Sequence, residues 1–152
     1  MRGYCGIGIQ GPKFPRNIGG LHRAVFAFGA DWFFTIGEAR RGGPEDVNRT
    51  ARHIPRFCFA DDGDFLAHLP EGASLVCVEI AGGAVDLPRF AHPERAVYVL
   101  GPEDGSVGDE LRSAARHVVV IPTRVCLNVA QAAAIVLYDR TAKRAGQGRL
   151  FK

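Results

Sequence analysis

The chain has 152 residues, 47% of them hydrophobic and 23% charged, with a net charge of +3. That is enough for one domain whose core needs no metal or disulfide staple. No apolar run reaches the roughly 18 residues of a membrane span, and the start, MRGYCGIGIQG, lacks the apolar stretch and small-residue cleavage site of a secretory signal. Cys5, Cys58, Cys77 and Cys126 form no C-x-x-C pair and the histidines are scattered, so the sequence predicts reduced thiols in a cytoplasmic protein and no metal site.

In chain order, YCGIGIQ (4–10) predicts a first strand and RNIGGLHRAVFAFGA (16–30) a helix ending near Gly29. WFFTIG (32–37) is a second strand. Residues 38–62 read mostly as loop, with a short strand near 56–59, and DFLAHL (64–69) is a short helix closed by Pro70. SLVCVEI (74–80) is a continuous apolar run, as in a strand covered on both faces. A connector at 82–94 leads to the strand AVYVLG (96–101), the helix VGDELRSAA (107–115) and the strand HVVVIP (117–122). The longest helix, LNVAQAAAIVLYDRTAKRA (127–145), has Val129, Ala132, Ala133, Val136, Leu137 and Arg140 at helical spacing. Its small-residue N-terminal half suits close packing in a core or at a subunit interface. Strands alternating with helices predict an α/β fold with a mainly parallel sheet.

Three stretches lie at the C-terminal side of strands, where parallel α/β sheets bind ligands: NIGGLHRAV, VLGPEDGSVGDEL (99–111) and IPTRVCLNVAQAAAIVLYDR (121–140). Each also has a purely structural explanation. Asn17 serves as a helix cap, Gly101, Gly105 and Gly108 as turn glycines, and Asn128 as the cap of the long helix. GIGIQG (6–11) spells G-x-G-x-x-G, but no helix follows directly and Pro12 and Pro15 interrupt, so the match reads as accidental. Of 19 basic residues only Lys13, Lys143 and Lys152 are lysine. Arginine forks suit phosphate recognition, although a GC-rich genome produces the same bias.

Together, in this order, the three stretches resemble the motifs of SpoU-type (TrmH-like) RNA 2′-O-ribose methyltransferases of the SPOUT superfamily. Asn17, Gly19, Leu21 and Arg23 follow the first motif, N-x-G-x-I/L-x-R-T/S-A, with Ala24–Val25 in place of its last pair. Leu100–Val107 approximates the second, F-G-x-E-x-x-G-L/V, with its second glycine one place early. Ile121–Pro122, Leu127–Asn128–Val129 and Leu137–Tyr138–Asp139 follow the third, with Cys126 where the family has serine. The resemblance spans residues 3–145. It implies a mainly parallel sheet with helices on both faces and a C-terminal deep trefoil knot. S-adenosylmethionine would sit in the knot, its adenine held near Ile80, Leu100, Gly101, Ile121 and Leu127.

The implied reaction is attack of a ribose 2′-hydroxyl on the sulfonium methyl. Arg23 would bind the adjacent phosphate and stabilise the alkoxide, or activate the hydroxyl. Asn17 would orient Arg23 or the ribose, with Gly19–Gly20 letting RNA approach the backbone. Glu103 would pair with Arg23 or the backbone of the first motif, and Asn128 would hold the knot loop or the hydroxyl side of the site. The resemblance further implies a homodimer acting on RNA, tRNA rather than rRNA, with Tyr4, Arg16, Arg40, Arg41, Arg49, Arg52, Arg56 and Arg124 as candidate RNA contacts. Two alternatives stand beside it: a non-catalytic RNA- or ligand-binding protein of the same fold, favoured by Cys126, and an unrelated nucleotide-binding α/β domain.

Overall fold

A computed structural model describes residues 3–37 and 52–146. Its elements are β1 (Tyr4–Gln10), α1 (Pro15–Phe28), β2 (Trp32–Ile36), β3 (Arg56–Phe59), α2 (Asp62–Ala67), β4 (Ser74–Val78), β5 (Val85–Asp86), β6 (Arg95–Leu100), α3 (Asp109–Ala114), β7 (His117–Val120) and α4 (Val129–Ala145). The strands form one sheet in the order β3-β2-β1-β6-β4-β7-β5, and every pairing is parallel. The expected strand near 56–59 is β3. The connector at 82–94 contains more than expected: β5 and a single 3-10 turn, Leu87–Arg89. A two-residue strand shows no periodicity, and only its long-range pairing with β7 defines it.

Side-chain alternation places a core on each face of the sheet. On β6, Ala96, Tyr98 and Leu100 pack with Ile18, Leu21 and Val25 of α1 and with Ala133, Val136 and Leu137 of α4. Val97 and Val99 face the other way, with Phe65 of α2 and Leu111 of α3. The helices therefore cover both faces, as a sheet with continuous apolar strands requires.

The glycines of GIGIQG and of the first motif include packing devices. Gly6 and Gly8 stand opposite Trp32 and Phe34 across the β1–β2 ladder. A Cβ at either would collide with the facing aromatic residue. Hence G-x-G sits within a strand and marks no phosphate loop. Gly19 is buried, and a Cβ on Gly20 would lie 2.7 Å from the Cβ of Ala130 on α4. Gly20 lets α1 and α4 approach closely. The expected opening for RNA at Gly19–Gly20 is not there.

The far half of α4 is tied down by a buried polar network. Arg140 donates to the carbonyls of Pro93, Glu94 and Tyr4 and to the Tyr98 hydroxyl. Lys143 donates to Asp139 at 2.6 Å and to the carbonyls of Leu87 and Phe90. His92 lies 2.6 Å from the Tyr98 oxygen through Nδ1 and 2.7 Å from Asp139 through Nε2. A neutral imidazole protonated on Nε2 satisfies both: Nε2–H donates to the carboxylate, and Nδ1 accepts from Tyr98. Burial holds the His92 pKa below its ordinary value of 6.5, outweighing the pull of Asp139.

A histidine with a depressed folded pKa contributes stability that is present above pH 6.5 and is lost as pH falls through the folded pKa. The urea midpoint is expected to drop between about pH 7.5 and about pH 5.5, and His92→Gln to reduce that drop. An unchanged pH slope in the variant would remove His92 as its source.

Candidate active site

The strands predicted to run to Ile80, Gly101 and Pro122 leave the ladder at Val78, Leu100 and Val120. β6, β4 and β7 are neighbours in the sheet. The chain that follows them, with the first turn of α4, encloses a cavity of about 470 Å³. Ile80, Leu100, Gly101, Ile121 and Leu127 all line it, as do Glu79, Thr123 and Cys126. Volume and lining suit a small organic ligand. The loop after β6 folds back tightly: a Cβ on Gly101 would lie 2.8 Å from the Val107 nitrogen. Buried Val107 anchors the loop's far end.

Glu103, on the cavity lining, starts a polar chain that joins two helix heads. α1 begins at Pro15, and Phe14 at its cap position has no side-chain oxygen to offer. Glu103 supplies the missing acceptor from a different loop. Its carboxylate accepts from the Lys13 and Phe14 backbone N–H groups, at 3.1 and 3.3 Å, and from Asn17 Nδ2 at 2.7 Å. A negative charge there also complements the helix dipole. Burial pushes the Glu103 pKa up, but the donors outweigh it and hold the group below the usual carboxylate range. Asn17, itself buried, accepts through Oδ1 from Asn128 Nδ2 at 2.8 Å. Asn128 Oδ1 in turn accepts from Ala130 N–H at 2.9 Å and caps α4.

Asn17, Glu103 and Asn128 thus form one connected unit. Asn17 lies in the first turn of α1 and is not its cap, which corrects the structural alternative. Arg23 is not part of the unit. It is exposed on α1 and makes no side-chain hydrogen bond or ion pair among the described residues. Six residues of helix turn the chain through about 600°, so Arg23 and Asn17 point in different directions. Of the two partners expected for Glu103, the structure shows backbone at the head of α1 and not Arg23, and Asn17 bonds to Glu103 and Asn128.

The expected RNA contacts separate. Exposed Arg124 sits in the cavity-bordering segment between Thr123 and Cys126. Arg16 is exposed at the start of α1, with its guanidinium 5.5 Å from the centre of the Phe14 ring. Arg52 and Arg56 are exposed at the opposite, N-terminal end of the sheet, beside its β3 edge. Tyr4 fails as a contact: its hydroxyl is buried and its ring packs on Trp32 at 5.1 Å. Arg40, Arg41 and Arg49 lie outside the described residues.

Two site residues escaped the sequence reading. Glu79 follows an apolar strand and accepts from the Val107 and Ile80 N–H groups. Lys13 pairs with Asp104 on the cavity lining. The signal for Glu79 was present in SLVCVEI, a lone carboxylate ending an apolar strand.

The model of the SpoU rRNA methylase family matches residues 6–138. The chain belongs to this family. Its fold is that of solved SpoU methyltransferases. The AviRb enzyme of Streptomyces viridochromogenes, solved also with AdoMet, superposes with a TM-score of 0.84 at 22% identity, over 98% of this chain and 62% of AviRb. The TrmH/SpoU tRNA modifying enzyme of A. aeolicus gives 0.85 at 19% identity, over 95% of this chain and 77% of that one. A structure described as giving insight into the 2-OH methylation of C/U34 on tRNA gives 0.83 at 21% identity, over 96% and 94%. At these identities the likeness establishes the fold. The SpoU chain described here thus spans less than two thirds of AviRb. No curated protein matches its sequence.

Removing Glu103 from this SpoU domain returns two exposed backbone N–H groups to water and takes the partner from the buried Asn17 amide. Glu103→Ala and Asn17→Ala are each expected to cost about 1–3 kcal/mol in urea denaturation, and the double variant less than their sum. Additive losses would show that the two do not act as a unit.

Proposed function

We propose that this SpoU-family chain is an S-adenosylmethionine-dependent RNA methyltransferase that modifies a ribose 2′-hydroxyl, with tRNA as substrate. The observation that carries the proposal is one cavity at the ends of β4, β6 and β7, with Glu103 on its lining hydrogen-bonded to Asn17 and, through it, to Asn128. The residues fit the cofactor. Ile80, Leu100, Ile121 and Leu127 supply apolar walls for an adenine, and Gly101, with no side chain, leaves backbone groups approachable. Bound there, the cofactor supplies a methyl group on a sulfonium.

An alcohol is a poor nucleophile, so the protein must align it and stabilise the charge it develops. Arg23 is the proposed catalytic residue, binding the ribose phosphate and stabilising the emerging alkoxide. Its pKa makes it a poor free base. The polar unit holds the heads of α1 and α4 rigid beside the cavity. The tRNA reading is supported by the C/U34 structure, 94% of whose chain this one spans. Ribosomal RNA is the alternative, suggested by the family's description.

We further propose a cytoplasmic homodimer, with the last segment threaded as a deep trefoil knot. Phe26 on α1 and Ile135 and Tyr138 on α4 are exposed apolar side chains on two packed helices. Arg23 is one helical turn from Phe26, on the same exposed side, so a second copy covering this face brings Arg23 to the seam.

Arg23→Ala is expected to keep S-adenosylmethionine binding by calorimetry and lose tritium-methyl transfer to bulk tRNA. Full activity in the variant would end the assignment. Nucleoside mass spectrometry of RNA from a strain lacking the protein is expected to show one missing 2′-O-methyl nucleoside and to identify the RNA that carries it. Tyr138→Glu is expected to shift sedimentation from dimer to monomer, and an unchanged sedimentation coefficient would rule out this face.

A further inference from the structure

Among the described residues that line the cavity are three carboxylates and no lysine, arginine or histidine. Asp104 is paired with Lys13 at 2.6 Å. Glu103 is turned to the head of α1. Glu79 is placed differently. Its Oε2 accepts from the Val107 N–H at 2.6 Å and its Oε1 from the Ile80 N–H at 2.9 Å. One amide belongs to the cavity wall and the other to the residue anchoring the loop that closes it, so the carboxylate is fixed in position. Backbone amides orient a carboxylate without cancelling its charge. Arg112 of α3, a cation within electrostatic reach of Glu79, is hydrogen-bonded to Asp109. Each carboxylate oxygen accepts about two hydrogen bonds, so both oxygens of Glu79 keep spare capacity.

Resting on the cofactor reading above, we propose that Glu79 is a specificity-determining residue of this cavity. It selects the cationic, methyl-bearing form of the cofactor over the neutral form left after transfer. Methyl transfer breaks the S–C bond, makes an O–C bond and releases the hydroxyl proton to water. It therefore removes one positive charge from the cavity. A fixed anion in a partly enclosed site attracts the sulfonium far more than the neutral thioether. The preference favours loading and speeds release of the spent cofactor.

Calorimetric titration with three probes tests this: S-adenosylmethionine, S-adenosylhomocysteine, and sinefungin, whose protonated amine stands in the sulfonium position. The wild-type protein is expected to bind both cations several-fold tighter than the thioether, with the gap narrowing as salt rises. Glu79→Gln keeps an acceptor oxygen and removes the charge. It is expected to bind the thioether nearly as wild type does and to lose the preference. Equal wild-type affinity for all three probes overturns the proposal. So does a Glu79→Gln protein that keeps the preference, or one that loses affinity for all three equally, since that marks a loop clamp alone. If the variant does not fold, the wild-type ratio and its salt dependence decide the matter. Failure of every probe to bind is a different result, and overturns the cofactor reading itself.

Discussion

The site depends on one carboxylate placed at the head of a helix that cannot cap itself. α1 opens on Phe14–Pro15, which fixes the backbone direction and offers no acceptor. The acceptor comes from Glu103, 86 to 90 residues further along the chain. Asn17 and Asn128 extend the same interaction to the head of α4. Five hydrogen bonds made by three side chains therefore join the first helix, the loop after β6 and the last helix. Each group's orientation is determined by the next, which is how a polar cluster gains rigidity in a region of reduced dielectric. The cavity lies against this cluster, so its shape is set by contacts that also complete the fold.

The last helix is held at both ends by different chemistry. At its head, Asn128 is both cap and link to Asn17. Near its tail, Arg140 and Lys143 satisfy backbone carbonyls between Leu87 and Glu94, and Asp139 orients His92. In its first turn, Ala130 lies against Gly20 and the helix sits close to α1. The Leu-Tyr-Asp run is thus split in function. Leu137 is core, Tyr138 is exposed, and Asp139 belongs to the buried network.

Charge is distributed in two layers. The chain is basic in sum, yet among the described residues the lysine, arginine, histidine, aspartate and glutamate side chains that line its cavity are all carboxylates. Arg16 and Arg124 stand outside, exposed beside the elements that border it. Such a division suits the proposed reaction, whose polyanionic substrate approaches from outside while its cationic cofactor occupies the interior.

Much of the fold was legible because its causes are local. Apolar runs such as AVYVLG predict strands covered on both faces, and the small-residue spacing from Val129 to Arg140 predicts a buried helix face. The three motif stretches could be placed at strand ends by position alone, and the family resemblance named residues that line the cavity. What sequence could not supply was the partner of each polar group. Asn17 read equally well as a cap, Glu103 as the partner of either Arg23 or the backbone, and Tyr4 as an RNA contact. Gly19–Gly20 read as an opening, and Glu79 passed unnoticed at the end of a strand. Those assignments depend on which segments meet: the loop after β6 with the head of α1, Trp32 with Tyr4, Ala130 with Gly20, Val107 with Glu79. The sequence by itself determined the order and type of the elements, because side-chain size, polarity and spacing act within a few residues. Only the tertiary structure decided which carboxylate serves which helix and where Arg23 points, because hydrogen bonds across 86 to 90 residues leave no period in the chain to read.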